Sequence, residues 1–560
     1  MKRGQRRWER PHPAFLALFG LLLVLFYVPI GGVLIRGFFP ESGFDPGPFI
    51  DTFTSPYNLR IISFTFLQAL LSTLFSLLLG LPGAFLLAVY SFPGKKVIRA
   101  LSGVPFVLPP ILVVLGFVIF FGNSGLLNSL LMQIFDLSEP PLRVLYSLKA
   151  IILAHGFYNF PIALRLVSSL WQQLPLSQEW AAQTLGAHRL RLFFTITLPQ
   201  LMPAILAASA LIFMFCFTSF AVILVLGGGP EFTTIEVEIY RLAKTSLDIP
   251  AAGALSTTAL IITLALMFIY IKLQNRLSFQ QELTVRQSNL RNYNRPAGLG
   301  LAAIIAYIGA MLLIVAGPLL GVIFRSLQKP VSRAGETFFT LEWYRRMFSA
   351  DAGQFSRMAL PAVRNSILIA AAAAAVAILI GTAVSYVTTR YRFKFNSLAD
   401  TIAMAPLSVS SVILGLGYFL ILRSLPDLRS GAILLIIAAH SVIAYPFVVR
   451  SVSSVLKKIS PNQLHAAMLL GARPRRVFRT IELPLLLPSV AAAGVFAFAI
   501  SLGEINATLL FSSSTITIPL AIYRMIGSYN FFGACALGTL LILVCAGVFA
   551  LFDKAGGSDY

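Results

Sequence analysis

The most constraining feature of this sequence is its division into long apolar blocks separated by short polar segments. Most blocks contain about 20 residues, the length of an α-helix that crosses the hydrocarbon core of a bilayer. Inside lipid the backbone has to satisfy its hydrogen bonds within the protein, and a helix does so locally. Of the 560 residues, 57% are hydrophobic and 11% are charged, well under the charged fraction of soluble domains. The sequence therefore predicts an all-α polytopic membrane protein.

We predict twelve membrane spans from these blocks. Their approximate bounds are 14–36, 61–89, 101–121, 149–170, 204–226, 254–274, 299–324, 365–388, 401–422, 431–452, 489–511 and 533–552. The first block is longer than the apolar core of a signal peptide and has no evident cleavage site, so we expect it to remain as the first span. Cys216, Cys535 and Cys545 lie in apolar blocks without metal-ligand or disulfide spacing, which is typical of packing residues.

The distribution of charge predicts the orientation of these spans. Lysine and arginine concentrate in the N-terminal segment and in every second polar segment after it, whereas acidic residues favour the alternate segments. The positive-inside rule places the basic segments, and with them both termini, in the cytoplasm. The net charge of +22 is then a consequence of topology, and we expect no nucleic-acid partner.

A long internal repeat divides the chain into two copies. Residues 179–203 read EWAAQTLGAHRLRLFFTITLPQLMP and residues 464–488 read LHAAMLLGARPRRVFRTIELPLLLP, identical at 13 of 25 positions without a gap. The same offset of 285 residues also aligns HGFYNFPIALRLVSSL at 155–170 with HSVIAYPFVVRSVSSV at 440–455. Repeats of this length indicate duplicated architecture.

The repeat predicts two parallel halves of six spans each, related by an axis along the membrane normal. We assign residues 1–274 to the first half, 275–298 to a polar, basic cytoplasmic linker and 299–560 to the second half. The two repeated polar stretches, at about 175–203 and 460–488, follow the fourth and tenth spans. By this topology both lie in the cytoplasm.

Each repeated stretch predicts a short helix, a turn and a second short helix on the inner membrane surface. In the second copy Ser460 is suited to cap the first helix, and Gly471 to end it in a left-handed turn. We expect Pro484 and Pro488 to break the second helix before the next span begins. The first copy repeats this plan with Ser177, Gly186, Pro199 and Pro203.

Three interpretations of this stretch are open from the pattern alone. It is an amphipathic connector among lipid headgroups, an intramolecular turn, or a paired docking element for two copies of a cytoplasmic partner. Matched Ala-Ala-x-x-x-Gly spacing in both halves favours docking, because small side chains let another protein approach the helix backbone. Lipid would not require that match.

The motif A-A-x-x-x-G followed by I-x-L-P, on a cytoplasmic loop before the penultimate span of each half, resembles the signature of type I ABC importer permeases. In that family the loop is the coupling helix, which seats in a groove of the ATPase subunit. The matching residues here, which the resemblance implies contact the ATPase, are Ala181, Ala182, Gly186, Leu198, Pro199, Ala466, Ala467, Gly471, Leu483 and Pro484. One departure is that Trp180 and His465 precede the alanines where the family has glutamate.

The resemblance implies a permease subunit of an ATP-driven importer in a bacterial inner membrane. Its partners would be two copies of a cytoplasmic ATPase, which bind the ATP and magnesium, and an extracytoplasmic substrate-binding protein. The fused two-permease layout is similar to the importers of thiamine and of ferric iron. LGGGPEFTTIEVEIYRLA at 226–243 is similar to the thiamine permeases, and EINATLLF at 504–511 to the ferric iron group.

The motifs that the chain lacks agree with a transport subunit that is not itself an enzyme. FPGKK at 92–96 lacks the upstream glycine and the hydroxyl residue of a phosphate-binding loop. No cluster of histidine, cysteine and carboxylate predicts a metal site, and we expect no cofactor in this chain. A secondary transporter with two parallel repeats is the main alternative, and an enzyme acting on a lipid carrier is the second.

Three residues are candidates for the translocation path. Glu504 is the one acidic residue predicted deep inside a span, and Asn506 follows two positions later. A carboxylate is costly in lipid, so it should face the bundle interior or an aqueous cavity, as a pathway residue for a cation or as a structural partner. Its repeat equivalent is Ser219. His155 and His440, also a repeat pair, are expected to be hydrogen-bonded packing residues; the alternative is a role in binding a ligand or transferring a proton.

Overall fold

A computed structural model of the protein describes residues 13–40, 43–103, 105, 108–285, 296–330, 337–349, 353–390, 402–425, 432–511 and 515–554. Almost all of this is helix. The α-helices of the first half are Pro13–Phe38, Gly47–Thr54, Pro56–Val89, Lys95–Leu101, Pro110–Phe121, Leu126–Phe135, Leu148–Gln173, Leu176–Thr184, Arg189–Leu192, Leu198–Phe217, Ala221–Leu226, Ile235–Arg241 and Ile249–Val285. Those of the second half are Leu299–Met311, Gly317–Ser326, Glu342–Met347, Gly353–Arg390, Ser411–Ser424, Ala432–Lys458, Pro461–Leu469, Pro474–Val477, Leu483–Gly503, Asn506–Phe511, Ile518–Gly527 and Phe531–Lys554.

Eleven helices in the described part of the chain are long and apolar enough to cross a membrane. A twelfth span results if Ile402–Ser408 and Ser411–Ser424, which are bent by 105° at a short break, are counted together. The prediction of an all-α polytopic protein with about twelve spans is therefore confirmed. The short strands Gln328–Pro330 and Thr337–Phe339 pair as an antiparallel hairpin between two helices of the second half.

The predicted bounds of the fifth and eleventh spans, 204–226 and 489–511, are wrong. The corresponding apolar helices run over Leu190–Phe217 and Arg475–Gly503, so each starts inside the repeated polar stretch. After each helix the chain breaks for two or three residues and continues as a short helix, Ala221–Leu226 or Asn506–Phe511. Hydropathy averages over such a break, because the residues on both sides of it are equally apolar.

Each half sends its first span to pack against the other half. The Tyr418 hydroxyl donates to the Leu25 carbonyl at 2.8 Å, and the Tyr27 hydroxyl donates to the Ile402 carbonyl at 3.0 Å. In the opposite direction Tyr307 donates to the Leu79 carbonyl at 3.0 Å. Residues of both halves accordingly contribute to one continuous hydrophobic core. The halves are interlocked rather than merely adjacent.

Glycine makes one of these crossings possible. At Gly417 a Cβ atom would lie 2.5 Å from the Pro29 carbonyl oxygen, far inside van der Waals contact. The predicted linker 275–298 lies between the halves; its first part is a continuation of helix Ile249–Val285, and residues 286–295 lie outside the described residues.

Candidate functional site

The two repeated polar stretches fold into the same helix–turn–helix. After the role that the resemblance implies, we name them the first coupling loop (175–203) and the second coupling loop (460–488). The first contains helix Leu176–Thr184 and then Arg189–Leu192, and the second contains Pro461–Leu469 and then Pro474–Val477. The predicted sequence of short helix, turn and short helix is confirmed in both halves.

Both turns are closed by equivalent hydrogen bonds. In the first loop Gly186 N donates to Gln183 O at 2.9 Å and Ala187 N donates to Ala182 O at 2.9 Å. In the second loop the bonds run from Gly471 N to Met468 O at 3.0 Å and from Ala472 N to Ala467 O at 3.1 Å. The hydrogen-bonded positions in the two loops are related by the 285-residue offset, so the turn is a duplicated structural unit.

The glycine in each turn is required by backbone conformation and not by space. Gly186 has φ +80° and Gly471 has φ +84°, in the left-handed region that residues with a Cβ atom avoid. A Cβ atom added at either position would have nothing within 4 Å. The predicted left-handed helix end is confirmed.

The predicted break at the loop prolines is wrong. In each loop the second short helix passes into a π-helical turn, Phe193–Thr197 or Phe478–Glu482, and then into the spanning helix without interruption. Proline normally clashes with the carbonyl of the residue four positions earlier. A π turn inserts one residue into the hydrogen-bond ladder, as Leu198 N to Phe193 O and Leu483 N to Phe478 O. The shifted carbonyls then accommodate Pro199 and Pro484.

The N-terminal caps of the two loops differ. Ser460 accepts a hydrogen bond from Asn462 N at 3.3 Å, so the predicted cap of the second loop is confirmed. In the first loop the helix begins at Leu176 and Pro175 occupies the cap position. Ser177 is therefore inside the helix, and the prediction that it caps the helix is wrong.

Both loops expose apolar side chains at the turn. Leu185 is 88% exposed and its repeat equivalent Leu470 is 89% exposed. Of the alanine pairs, Ala181 and Ala466 are exposed, whereas the following alanines, Ala182 and Ala467, are half-buried. Near the start of the spanning helices, Pro199, Leu483 and Pro484 are exposed and Leu198 is half-buried. Alanines beside an exposed leucine form an apolar surface with small side chains, which is suited to contact with another protein.

Different side chains anchor the two loops to their spans. In the second loop the fully buried Glu482 lies 2.8 Å from Nη2 of Arg390, and the Tyr386 hydroxyl donates to its other oxygen at 2.8 Å. In the first loop the residue equivalent to Glu482 is Thr197, and an aromatic cluster of Phe85, Trp171 and Phe193 occupies this region. Sequence reasoning missed Glu482, although I-E-L-P against I-T-L-P in the two copies was a visible signal.

A cavity of about 250 Å³ brings together two of the predicted pathway residues. Ser219, at the break after helix Leu198–Phe217, and Asn506 of the second half both line it, as does His155. Glu504 lies at the equivalent break, not deep inside a span as predicted, and accepts a hydrogen bond from Ala507 N at 3.0 Å. That bond caps the short helix Asn506–Phe511.

A second buried carboxylate joins the two halves outside the spanning helices. Glu236, in helix Ile235–Arg241, is fully buried and accepts a hydrogen bond from Ser410 Oγ at 2.7 Å. Ser410 in turn caps helix Ser411–Ser424 by accepting from Ile413 N at 3.2 Å. Burial raises the pKa of Glu236 to about 8. Within the described residues no group of three or more histidine, cysteine and acidic side chains is placed to hold a metal ion.

Comparison with known proteins decides the family. The model of the family described as "Binding-protein-dependent transport system inner membrane component" matches residues 76–327, which run from the first half through the linker into the first span of the second half, and residues 377–554 of the second half. The chain belongs to this family. It is thus a fused, two-domain permease of the ABC importer type, as the coupling loops predicted.

Curated relatives span nearly the whole permease. The thiamine transport system permease protein ThiP of Brucella abortus is 29% identical over 99% of this chain and 98% of its own length. ThiP of Escherichia coli is 27% identical over 90% of each chain. The ferric transport system permease protein FbpB of Actinobacillus pleuropneumoniae is 25% identical over 95% of this chain and 77% of its own length.

Proposed function

We propose that this permease forms the membrane path of a thiamine importer and that two copies of a cytoplasmic ATPase drive it through the two coupling loops. The proposal rests on the matched loops, because two equivalent loops with exposed leucines can each bind one of two identical ATPase subunits. The chain binds neither ATP nor magnesium in this scheme; the ATPase subunits supply both. An extracytoplasmic binding protein delivers the solute, as the family's name implies.

Closure of the ATPase pair would move the two coupling loops together and tilt the two halves against each other. The spanning helices Leu198–Phe217 and Leu483–Gly503 continue directly from the loops through the π turns. Because there is no flexible break at the prolines, a displacement of a loop is transmitted along its span. Alternating access is then a shift between outward-open and inward-open states that the ATPase favours differently.

Orientation follows from the basic residues. We infer that the N-terminal segment, the linker and both coupling loops face the cytoplasm, since lysine and arginine outnumber aspartate and glutamate in each of them. Lipid contacts cover the outward faces of the spans, where large apolar side chains such as Leu78 and Phe268 are exposed.

Thiamine is favoured as the solute because the thiamine permeases are 27–29% identical and are covered over 90–98% of their own length, against 25% identity and 77% for FbpB. Ferric iron is the second candidate, supported by the similarity to FbpB. Uptake of labelled thiamine and of labelled ferric iron by cells expressing the complete transporter separates the two.

Loss of ATPase capture tests the docking role directly. We expect the double variant Leu185→Glu and Leu470→Glu to lose at least 90% of the ATPase that co-purifies with the wild-type chain, because two carboxylates would be buried at the contact. Both leucines are almost fully exposed, so the variant should fold normally. Phe348→Glu is the matched control, since Phe348 is 75% exposed outside the coupling loops. Full ATPase capture by the double variant would refute docking through these loops and favour a secondary transporter.

A further inference from the structure

The cavity between the halves contains buried polar atoms that the protein leaves unused. His155 is 2% exposed, and among the described residues its Nε2 has no hydrogen-bond partner, while Nδ1 lies 2.9 Å from Ser72 Oγ. Asn506 Oδ1 is likewise buried without a partner there, while Nδ2 donates to Ser411 Oγ at 2.9 Å. Both residues line the cavity. An unsatisfied buried polar atom costs roughly 1–3 kcal/mol, so such atoms call for an occupant.

The second half shows what a purely structural histidine looks like at this place in the fold. His440, the repeat equivalent of His155, is also buried, but both of its ring nitrogens are partnered. Nδ1 lies 2.9 Å from Ser501 Oγ and Nε2 lies 2.8 Å from Thr508 Oγ1. The expectation of a hydrogen-bonded packing residue thus describes His440 completely.

In the first half the partner of the second nitrogen has been replaced. The 285-residue offset puts Ile223 at the position of Thr508, and Ile223 is buried with an apolar side chain. It supplies no hydroxyl to Nε2 of His155. The cavity is lined mainly by the first half. Because Ile223 replaces the threonine, the histidine that is a packing residue in the second half lines the cavity in the first.

The walls of the cavity define the chemistry of an occupant. Tyr158, Phe215 and Phe220 contribute aromatic rings, and the Tyr158 hydroxyl is already donated to the Leu108 carbonyl at 2.6 Å. No aspartate, glutamate or cysteine lines the described cavity, and Tyr158 keeps its hydroxyl proton in the bond to Leu108, so the cavity lacks the anionic ligands that a ferric ion prefers. The Asn506 amide oxygen is an acceptor and requires an N–H or O–H of the ligand.

We propose that this cavity is a transient binding site for the solute, and that it takes a planar nitrogen heterocycle with an amino group. The amino group donates to Asn506 Oδ1, a ring nitrogen pairs with His155 Nε2, and the aromatic walls cover the ring faces. The proposal rests on the proposed function and deepens it, since the aminopyrimidine of thiamine has this chemistry and a metal ion does not. The volume of about 250 Å³ suits a molecule of that size.

Restoring the missing hydroxyl is the sharpest test. We expect Ile223→Thr to partner His155 Nε2 as Thr508 partners His440, and so to weaken binding of thiamine at least 10-fold. Asn506→Ala should weaken it similarly, whereas Ile223→Val, which adds no hydroxyl, should retain wild-type affinity. Thiamine binding is measured by equilibrium titration up to 10 mM against the permease–ATPase complex in lipid nanodiscs, without the binding protein.

Each outcome decides the matter. Wild-type binding within the titrated range that is weakened by Ile223→Thr and not by Ile223→Val supports the site. Absence of wild-type binding at 10 mM, or equal affinity of all variants, overturns it. Uptake of thiamine into proteoliposomes with ATP and the binding protein is measured in parallel on the wild type. If uptake occurs while binding is insensitive to the variants, the cavity proposal fails and the proposed function stands; if no uptake occurs, the proposed function fails whatever the titration shows.

Discussion

The two coupling loops have the same backbone conformation, but different side chains attach them to the rest of the protein. Their turns, π segments and threonine bonds coincide, including Thr195 Oγ1 to Arg191 O at 2.6 Å and Thr480 Oγ1 to Arg476 O at 2.7 Å. Beneath this common surface Phe193 of the first loop packs on Trp171, and its repeat equivalent Phe478 packs on Tyr386. The second loop alone adds a buried carboxylate, Glu482, beside Arg390. Duplication has thus preserved the exposed turn, which we propose binds the ATPase, while the contacts with the protein's own interior have diverged.

The difference has an energetic meaning. Aromatic packing is non-directional and tolerates small displacements, whereas the Glu482–Arg390 pair depends on geometry. The guanidinium of Arg390 is at ion-pair distance but its Nη2 is outside hydrogen-bond geometry. A pair of this kind contributes little net stability and is costly to break. The second loop should therefore be the more sensitive of the two to single substitutions.

The largest effect is expected from Arg390→Met. Removing the cation leaves the fully buried Glu482 without its charge partner, which costs about 3–5 kcal/mol. The double variant Arg390→Met and Glu482→Leu should recover most of this loss, because an apolar pair replaces the ionic one. The free energy of unfolding from SDS titration of the detergent-solubilised protein measures both. Equal stability of the single and double variants would contradict a paired charge.

A smaller effect is expected on the aromatic side. Trp171, which is 5% exposed, packs against Phe85 and Phe193, and its repeat equivalent is Leu456. Trp171→Leu should cost about 2 kcal/mol, less than full truncation to alanine, since the leucine fills part of the volume. The same titration applies. A loss above that of Arg390→Met would reverse the ranking of the two anchors.

The smallest effect should also be the most symmetric. Gly186→Ala and Gly471→Ala each force a Cβ atom into the left-handed region at a cost of about 1–2 kcal/mol. Because both turns have the same φ within a few degrees and open space around them, the two losses should agree. Thermal shifts of the two single variants, recorded side by side, are sufficient. Unequal shifts would show that the duplicated turns are not energetically equivalent.

The sequence predicted features that depend on local pattern. Apolar length predicted the spans, and the glycine spacing predicted the turns, because both are properties of neighbouring residues. It failed at Pro199 and Pro484, where a π turn removes the expected clash, and at the span breaks before Ala221 and after Gly503. These depend on how the hydrogen-bond ladder adjusts, which no single residue type signals.

Buried charge was also difficult to predict from sequence. Glu504 was singled out because it stands in an apolar block, yet among the described residues the buried carboxylates are Glu236, Glu238 and Glu482. Arg390, the cation beside Glu482, lies 92 positions earlier in the chain. Ser410, the partner of Glu236, lies 174 positions away in the other half. Such pairs follow from tertiary packing. The repeat relates position 219 to position 504, two residues before Asn506. This was the only indication in the sequence that Ser219 and Asn506 would lie at one cavity.

The interlocked first span has a consequence for biogenesis. The Leu25 carbonyl can receive its native hydrogen bond only after Tyr418, 393 positions later in the chain, has been synthesised. At roughly 5–20 residues per second, ribosomes need on the order of 20–80 s to deliver that partner. During this interval the emerging hairpins must be sheltered by the insertion machinery or by provisional neighbours. Fusing both halves in one polypeptide keeps the late partner tethered to the early one, so assembly needs no encounter between separate subunits.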